Sequence, residues 1–359
     1  METLRPISQD APVGRVTLQT IADLVGVSRM TVSNAFSRPD QLSAELRDKI
    51  LEVAAELGYA GPDPAARGLV RGSAGTVGIV LTDVAPAFDD EVAARFVGAI
   101  AAELAPTGKA LTLLTSGGED DDFVPARDIA LDGAVAYLCD DRSPALGWLL
   151  KRQLPLVFVD HTPRPGFDSV NVDDREGARL AAQHLIDLGH RRIGIVASTK
   201  QQPTGWATDP LDTHEATSLA RLQGWYDALG RAGIEAPVVQ ANLLTADAAE
   251  RAAGLLLDRD PRPTGILCFS DVIAYGAVRA AEARGLHVPD DVSIVGFDGT
   301  RLAARMGPPL TTVRQDVVEK GRAAARALVR RMAGSSGRAR RVRLPVELVV
   351  GGSTGPPPG

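Results

Sequence analysis

The segment GVSRMTVSNAF, residues 26–36, carries three side chains whose chemistry suits contacts with DNA bases: Arg29, Met30 and Asn34. A guanidinium and a carboxamide can form paired hydrogen bonds with base edges, whereas a thioether can make only apolar contact. The same residues also fit an ordinary capped surface helix, because the apolar positions between them recur at helical spacing. The segment by itself leaves both interpretations open.

A second group of polar side chains follows apolar runs further along the chain. Asp160 ends LPLVFVD, Ser270 follows TGILCF, and Asp298 ends DVSIVGFD. Ligands of parallel α/β folds bind at the carboxyl ends of strands, so these residues are candidates for a binding site. The alternative is that such residues cap the helices that follow, and capping is the predicted role of Asp271.

Residues 17–59 are predicted to form three short helices that would position the first group. Each predicted helix begins after a hydroxyl side chain able to cap it: Thr17, Ser28 and Ser43. Gly26 ends the first helix, because glycine tolerates the left-handed turn needed there. Small Ala22 lets two helices cross closely, as a helix-turn-helix requires, although a plain three-helix bundle has the same pattern.

From residue 76 onward, continuous apolar runs alternate with amphipathic helical segments. This alternation is typical of buried parallel strands in βαβ units. The runs form two groups with a break near Asp173, which predicts two parallel sheets. The segments 310–315 and 342–350 indicate that the chain crosses back between the two lobes.

Composition predicts a cytoplasmic protein that is neither an enzyme nor membrane-bound. The chain has 359 residues and a net charge of −6, so any DNA contact must rest on local geometry. It shows no bilayer-length apolar run and no signal peptide, and Cys139 and Cys268 are predicted to be buried free thiols. Since nucleotide loops, metal-ligand clusters and nucleophile elbows are absent from the sequence, we expect no cofactor and no metal.

The sequence around the first segment resembles that of a known protein family. VTLQTIADLVGVSRMTVSNAF, then LGY and PDPAARGLVRG, closely resembles the headpiece of the lac-repressor (LacI/GalR) family of bacterial transcription regulators. The resemblance continues to VELVVGGST near the C-terminus. It implies a multidomain fold, in which an all-α helix-turn-helix headpiece is joined by a hinge helix to a two-lobed α/β effector domain. That domain resembles type I periplasmic binding proteins and contains parallel sheets.

The resemblance sets the expected domain boundaries. A disordered N-terminal tail (1–14) precedes the headpiece (15–61) and the hinge helix (62–73), for which a flexible tether is the alternative. The lobes and the tail of the effector domain follow: 74–172 with 315–343 for the first lobe, 173–314 with 344–352 for the second, and 353–359 for a disordered tail.

In that family the second helix reads bases in the major groove, which assigns base contacts to Arg29, Met30 and Asn34. Met30 departs from the hydrogen-bonding residues common at its position, and thymine methyl is its expected partner. Hydroxyls at the family's phosphate-gripping positions, which can equally serve as helix caps, are those of Thr17, Ser28, Thr31, Ser33 and Ser37. Leu69 matches the hinge leucine that wedges into the minor groove.

The family's effector cleft lies between the two lobes. Matching positions here are Phe88, Asp160, Arg221, Ser270 and Asp298. Aspartates that accept hydrogen bonds from hydroxyls, together with an aromatic face, suit a sugar. Ser270 replaces an amide found in some sugar-responsive relatives, which leaves the identity of the ligand open.

The segment 199–218 is longer than the loop usual in the family. Trp206 within it either lines the effector site or lies on the lobe surface, and the sequence does not decide between the two. The arginine-rich run GRARRVR, 337–343, is predicted to be a solvated turn leading into the final strand, with a nucleic-acid patch as the alternative.

These features predict a homodimeric repressor that binds a palindromic double-stranded DNA operator. A small-molecule effector, expected to be a sugar or sugar derivative, would bind between the lobes and control operator binding. The principal alternative is a periplasmic-type solute receptor, against which the helix-turn-helix, the hinge and the missing signal peptide argue.

Overall fold

The computed structural model describes residues 16–61, 68, 72–81, 91–115, 124–139, 142–198, 203–242, 244–335 and 337–359. The chain separates into two compact units, Met1–Ala74 and Gly75–Gly359. This division falls one residue after the predicted end of the hinge. The described residues do not include the predicted N-terminal tail or most of the hinge segment. They also do not include Leu69 and Phe88, so the roles predicted for these two residues stay predictions.

In residues 16–61 of the N-terminal unit the structure shows the α-helices α1 (Leu18–Val25), α2 (Arg29–Ser37) and α3 (Ala44–Glu56), with a 3-10 turn at Pro39–Gln41. Its small core is built from side chains of all three helices: Ile21, Ala22, Val32, Ala35, Ile50 and Ala54. The methyl side chain of Ala22 is 1% exposed, which is the close helix crossing that the sequence predicted.

Each helix of this unit begins at its predicted cap. The side chains of Thr17, Ser28 and Ser43 accept hydrogen bonds from backbone N–H groups in the first turns of α1, α2 and α3. Gly26 ends α1 in the left-handed conformation at φ 79°, and its N–H donates to Ala22 O at 2.9 Å. The tight turn therefore sets the start of α2.

The first lobe of the C-terminal unit is built around a parallel sheet. Its strands are β1 (Thr76–Leu81), β2 (Ala110–Thr115), β3 (Gly133–Tyr137), β4 (Leu156–Val159), β5 (Asp168–Val172) and β12 (Arg341–Leu344). Their spatial order is β12-β5-β4-β3-β1-β2, and every pairing in it is parallel. Helices of this lobe include α4 (Glu91–Leu104), α5 (Pro125–Asp128), α6 (Pro144–Lys151) and α12 (Val317–Met332).

The second lobe has its own sheet, in the order β13-β11-β10-β9-β6-β8-β7. The strands are β6 (Ile193–Ser198), β7 (Gly205–Trp206), β8 (Val238–Ala241), β9 (Gly265–Cys268), β10 (Ser293–Asp298), β11 (Thr311–Gln315) and β13 (Val346–Val349). The helices are α7 (Asp174–Asp187), α8 (Ala216–Arg231), α9 (Ala246–Leu257), α10 (Asp271–Glu282) and α11 (Arg301–Arg305). Only the edge strands β7 and β13 pair antiparallel.

The chain passes between the lobes at three places. It leaves the first sheet after Val172, returns after Gln315 through α12, and crosses again between Leu344 and Val346. The helix α12 packs on strands β3, β4 and β5 of the first sheet. The break near Asp173 and the two later crossings were predicted from the apolar runs, and the two-lobed α/β fold is confirmed.

Two predictions from composition can be compared with the structure. Cys139 and Cys268 are buried thiols that form no disulfide among the described residues, as predicted. Burial raises the pKa of the Cys268 thiol far above its usual range, so this thiol stays protonated. Within the part of the chain that the structure describes, no helix combines the length and apolar character needed to cross a bilayer.

The prediction that 353–359 is a disordered tail is wrong. Ser353 is fully buried, and its hydroxyl donates to Ile294 O at 2.6 Å and accepts from Thr311 N at 2.8 Å. Buried His190 lies 2.9 Å from Gly355 O through its Nε2. A glycine- and proline-rich composition predicts disorder only when no surface satisfies its backbone, and here the second sheet does so.

Replacing Ser353 by alanine is expected to lower the free energy of unfolding by about 2–3 kcal/mol, because two buried backbone groups lose their partner. Urea-induced unfolding of the full chain measures this loss. The matched control is Ser335→Ala, whose side chain is exposed and which should change stability little. Equal stability of the two variants would mean that the C-terminal segment contributes nothing to the lobe.

Candidate functional site

The exposed face of α2 presents the three predicted base-reading residues. Arg29 is exposed and the side chain of Met30 is 69% exposed, which is unusual for a large apolar residue. Asn34 is half-buried, and its Nδ2 donates to Gln41 Oε1 at 3.3 Å. One amide hydrogen and the Oδ1 acceptor of Asn34 stay available for the paired hydrogen bonds that adenine offers.

Four of the predicted phosphate-contacting hydroxyls already have partners inside the headpiece. Ser28 and Thr17 cap their helices, and the Thr31 hydroxyl lies 2.8 Å from Ser28 Oγ. Ser37 Oγ donates to Ser33 O at 2.8 Å. The Ser33 hydroxyl makes no hydrogen bond within the described residues, so it is the one most available to a phosphate oxygen.

A second site forms where the carboxyl ends of second-lobe strands meet α7 and α8. Arg221 of α8 is 3% exposed, and its Nε donates to Asp174 Oδ1 at 2.9 Å. Its Nη2 lies 3.4 Å from Asp298 Oδ1, and its Nη1 donates to Phe269 O. The guanidinium carbon stands 3.6 Å from the centroid of the Phe297 ring. Hydrogen bonds and ring contact thus hold this arginine in one orientation.

The network continues into the first lobe through two residues that the sequence did not identify. Gln315 at the end of β11 donates from Nε2 to Asp298 Oδ1 at 2.8 Å. Lys320 of α12 donates to Gln315 Oε1 at 2.8 Å and to Asp160 Oδ2 at 2.5 Å. Predicted residues Asp160, Arg221 and Asp298 therefore belong to one polar network that joins the lobes, which we call the interlobe network.

Two buried polar atoms of this region lack hydrogen-bond partners within the described residues: Asp160 Oδ1 and Thr217 Oγ1. Asp160 and Thr217 both line a single groove of about 740 Å³. A buried carboxylate oxygen without a donor is costly, so the groove favours a ligand or water that supplies hydrogen bonds. Thr217, on the first turn of α8, was not identified from the sequence because threonine there also fits a helix start.

Backbone conformation also sets the two aspartates apart. Asp160 has a φ of 52° and Asp298 a φ of 116°, in the region that non-glycine residues rarely adopt. Asp160 directly follows β4 and Asp298 is the last residue of β10, so both unusual conformations lie where a buried strand ends. Such conformations are retained at binding sites where the surrounding structure holds them.

Burial and charge act in opposite directions on the interlobe network. Burial raises the pKa of Asp174, although Arg221 and Lys320 oppose the shift, and the nearby Asp160 charge adds to it. Burial also disfavours the charged form of Arg221, but Asp174 and Asp298 outweigh this and raise its pKa. Arg221 therefore stays charged, and its charge lowers the pKa of Asp174 against the effect of burial.

The residue that caps α10 differs from the one that the sequence predicted. Ser270, predicted to contact the effector, is the N-cap of α10 and accepts from Ile273 N. Asp271, predicted to be the cap, is fully buried and accepts hydrogen bonds from the backbone and hydroxyl of Thr300 and from the Thr312 hydroxyl. Burial, partly offset by these bonds, raises the pKa of Asp271 to about 6.

The structure places Trp206 on the outer edge of the second lobe. Together with Gly205 it forms β7, which pairs antiparallel with β8, and Trp206 lies opposite Val239. The side chain is 45% exposed, and the guanidinium of Arg259 stands 5.4 Å from its ring centroid. Since Arg259 follows α9 at the far end of the lobe, the surface interpretation of Trp206 is the one that its contacts support.

Comparison with known proteins agrees with both parts of this description. A family model described as "Bacterial regulatory proteins, lacI family" matches residues 17–61, and one described as "Periplasmic binding protein-like domain" matches residues 182–354. An HTH-type transcriptional regulator of Mycolicibacterium smegmatis is 38% identical over 370 residues, covering 96% of this chain and 98% of the relative.

Solved structures show the same arrangement. The lac repressor dimer bound to operator and an anti-inducer has a TM-score of 0.77 at 25% identity, covering 95% of this chain and 99% of that one. A transcriptional regulator CelR–cellobiose complex has a TM-score of 0.69 at 29% identity, covering 94% and 100%. A helix-turn-helix headpiece joined to a periplasmic-binding-protein-like body defines a transcription regulator rather than an enzyme. The chain belongs to the lacI family of bacterial regulatory proteins.

Proposed function

We propose that this regulator is a homodimeric repressor of a palindromic operator and that a sugar or sugar derivative bound between its lobes controls DNA binding. Asp160 and Thr217 both line one polar groove, and each has a buried oxygen without a partner among the described residues; this observation carries the ligand part of the proposal. A carboxylate accepts from hydroxyls and a threonine hydroxyl donates to them, which is the chemistry of a polyhydroxylated ligand.

The charged members of the interlobe network complete the proposed site. Asp298 would accept from ligand hydroxyls, and Arg221 would donate to ring or hydroxyl oxygens once it leaves the Asp298 contact at 3.4 Å. The Ser270 hydroxyl, which already accepts from Ile273 N, would contribute its O–H donor or its second lone pair. Phe88, outside the described residues, is proposed as the aromatic face beneath the ligand.

The network also offers a route from ligand to DNA. Lys320 and Gln315 lie on either side of the crossing that follows β11, so the bond between them joins one lobe to the other. A ligand that draws Asp298 and Asp160 toward itself would have different affinities for open and closed lobes. That difference is what allows a ligand to bias a conformational equilibrium.

Two measurements on the purified full chain test this proposal. A thermal-shift screen against sugars, polyols and other small metabolites should give saturable stabilisation by a polyhydroxylated compound. Selection from a randomised DNA library should yield a two-fold symmetric site, and the affinity for that site should change when the stabilising compound is added. Enrichment of an asymmetric site, or stabilisation only by compounds without hydroxyls, would contradict the proposal.

Asn34→Ala is expected to relax sequence preference at one base pair in each half of the selected operator. The expected discrimination loss is about 1–3 kcal/mol, because an asparagine–adenine pair of hydrogen bonds is removed. Fluorescence anisotropy on single-base variants of the operator measures it. Ser33→Ala serves as the comparison and should weaken all sequences alike. The same uniform loss in Asn34→Ala would mean that Asn34 contacts phosphate.

Leu69→Ala is expected to weaken operator binding about tenfold, equivalent to about 1.4 kcal/mol, because the proposed minor-groove wedge is truncated. The stabilising compound should bind this variant as tightly as the parent protein. Anisotropy with the operator and the thermal shift with the compound give the two readings. Unchanged operator affinity would remove Leu69 from the DNA interface.

A further inference from the structure

A pocket of about 730 Å³ lies beside the first sheet, where the loop after β4 meets the segment between α12 and β12. Four arginines contribute to its lining, and no acidic side chain does: Arg164, Arg331, Arg338 and Arg341. We propose that this arginine pocket binds a small phosphate-bearing anion, at a site separate from the groove between the lobes.

The segment that supplies three of the four lining arginines is rich in positive charge although the protein is acidic. Residues 320–343 contain nine Lys or Arg side chains and no Asp or Glu, whereas the whole chain has a net charge of −6. Bringing so many like charges together costs free energy unless carboxylates or bound anions offset it. The structure shows which of these charges are offset and which are not.

One buried carboxylate holds the inner wall of the pocket in place. Asp168 is 1% exposed and accepts from Arg331 Nη2 at 2.7 Å, from Arg330 Nη2 at 2.5 Å and from the backbone N–H of Arg340 at 2.7 Å. Arg331 Nη1 donates to Ser335 O and to Gly337 O. Arg331 therefore fixes the segment that leads to Arg338, and one carboxylate is shared between two guanidinium groups.

The state of that carboxylate follows from its contacts. Burial by itself raises the pKa of Asp168, but the hydrogen bonds from Arg331, from the Arg340 backbone and from Arg330 outweigh burial and hold it below the usual range. Asp168 is therefore ionised at neutral pH, and its single negative charge offsets one of the two positive charges of Arg330 and Arg331. A net positive charge is left on this wall.

Two of the lining arginines have side chains without a partner among the residues that the structure describes. Arg338 and Arg341 are exposed, and neither makes a hydrogen bond or ion pair with any residue that the structure describes. Arg164 borders the pocket from the opposite side, with its guanidinium carbon 5.4 Å from the Phe158 ring centroid. Planar guanidinium groups that converge on one cavity match the paired oxygens of a phosphate group.

The distribution of unpaired arginines favours a compact anion over an extended polyanion such as DNA. Arg326, outside the pocket, pairs with Glu319 and lies 3.8 Å from Glu103, and Arg343 lies 3.7 Å from Asp173. The surface beside the pocket is therefore partly neutralised. A duplex needs a continuous row of cations along its backbone, whereas a small phosphate compound needs only the cavity.

Topology separates the arginine pocket from the proposed effector groove. Asp168 and Arg341 stand at the amino ends of β5 and β12, whereas Asp160 follows the carboxyl end of β4. All strands of this sheet are parallel, so the two sites lie at opposite edges of it.

Isothermal titration of the full chain with inorganic pyrophosphate tests the proposal, at physiological ionic strength with chloride as the background anion. The pocket variant is R338A/R341A. The control variant is R305A/R322A, which removes the same charge from exposed arginines outside the pocket. We expect saturable binding that weakens about tenfold or more in the pocket variant and stays within about twofold in the control.

Equal weakening in both variants would overturn the proposal, because net charge rather than the pocket would then explain binding. Absence of saturable binding to the parent chain would overturn it as well. So would a pocket variant that binds pyrophosphate like the parent but loses affinity for a random-sequence DNA duplex, since the arginines would then contact DNA. Retained melting temperature in R338A/R341A excludes misfolding as the cause of a loss.

Discussion

Asp298→Ala should lower the affinity for the stabilising sugar or polyol about 10–100-fold while operator binding in its absence is retained. A hydrogen bond to a charged group contributes about 1.5–3 kcal/mol, and Asp298 would make at least one with the ligand. The change also removes the acceptor of Gln315 Nε2 and one partner of Arg221, which keeps Asp174 at 2.9 Å. The arginine therefore remains oriented, and the loss falls on the ligand.

Asp298→Asn is the matched variant for this measurement. Asparagine tolerates the φ of 116° better than alanine and keeps an acceptor, so it should lose less affinity than alanine. Titration of each variant with the compound and anisotropy with the operator separate ligand binding from DNA binding. A normal ligand response in Asp298→Ala would place Asp298 outside the effector site, whatever happens at the operator.

The headpiece was predictable from the sequence because its determinants are local. Thr17, Ser28 and Ser43 cap the helices that directly follow them, and Gly26 makes a turn with residues a few positions away. Apolar spacing then identifies the buried faces without knowledge of the rest of the chain. The side-chain partner of Asn34 was not predictable, since Gln41 reaches it through the 3-10 turn after α2.

The sequence alone predicted residues of the effector region only at the ends of strands. Asp160 and Asp298 follow apolar runs, and the family resemblance supplied Arg221. Lys320 gave no such signal, because a lysine in an amphipathic helix is ordinarily solvent-exposed and here it is 1% exposed. Its partner Asp160 is 160 residues away along the chain. Contacts between distant elements of this kind follow from the packing of α12 on the first sheet, which spacing does not encode.

Predictions from local sequence were wrong where a residue finds a hydrogen-bond partner that is distant in the chain. The tail 353–359 has a composition typical of disorder, yet Ser353 replaces water for the backbone of two strands. Likewise Ser270 and Asp271 are adjacent, and the side chain of either could cap α10. Asp271 is instead buried, where it accepts hydrogen bonds from the hydroxyls of Thr300 and Thr312. In each case the deciding partners lie far away in sequence.

Lys320→Met is expected to reduce the free energy of unfolding by about 3–5 kcal/mol, because it leaves the Asp160 carboxylate buried without its counter-charge. Lys320 and Asp160 side chains are 1% and 5% exposed, so water cannot replace the missing ammonium group. Methionine is one heavy atom shorter than lysine and keeps most of the apolar stem of the side chain near Tyr137, whose ring centroid lies 5.7 Å from the lysine nitrogen. Urea-induced unfolding at neutral pH gives the value.

The second variant that makes this result decisive is Lys320→Met with Asp160→Asn. Removing the stranded charge should restore most of the lost stability, because breaking one partner of a buried ion pair costs more than replacing both. A double-mutant cycle then isolates the coupling between the two side chains from the packing of each. Equal destabilisation by the single and double variants would show that the cost lies in the packing of α12. Restoration would instead show that the cost of the single variant comes from leaving the buried Asp160 side chain without Lys320.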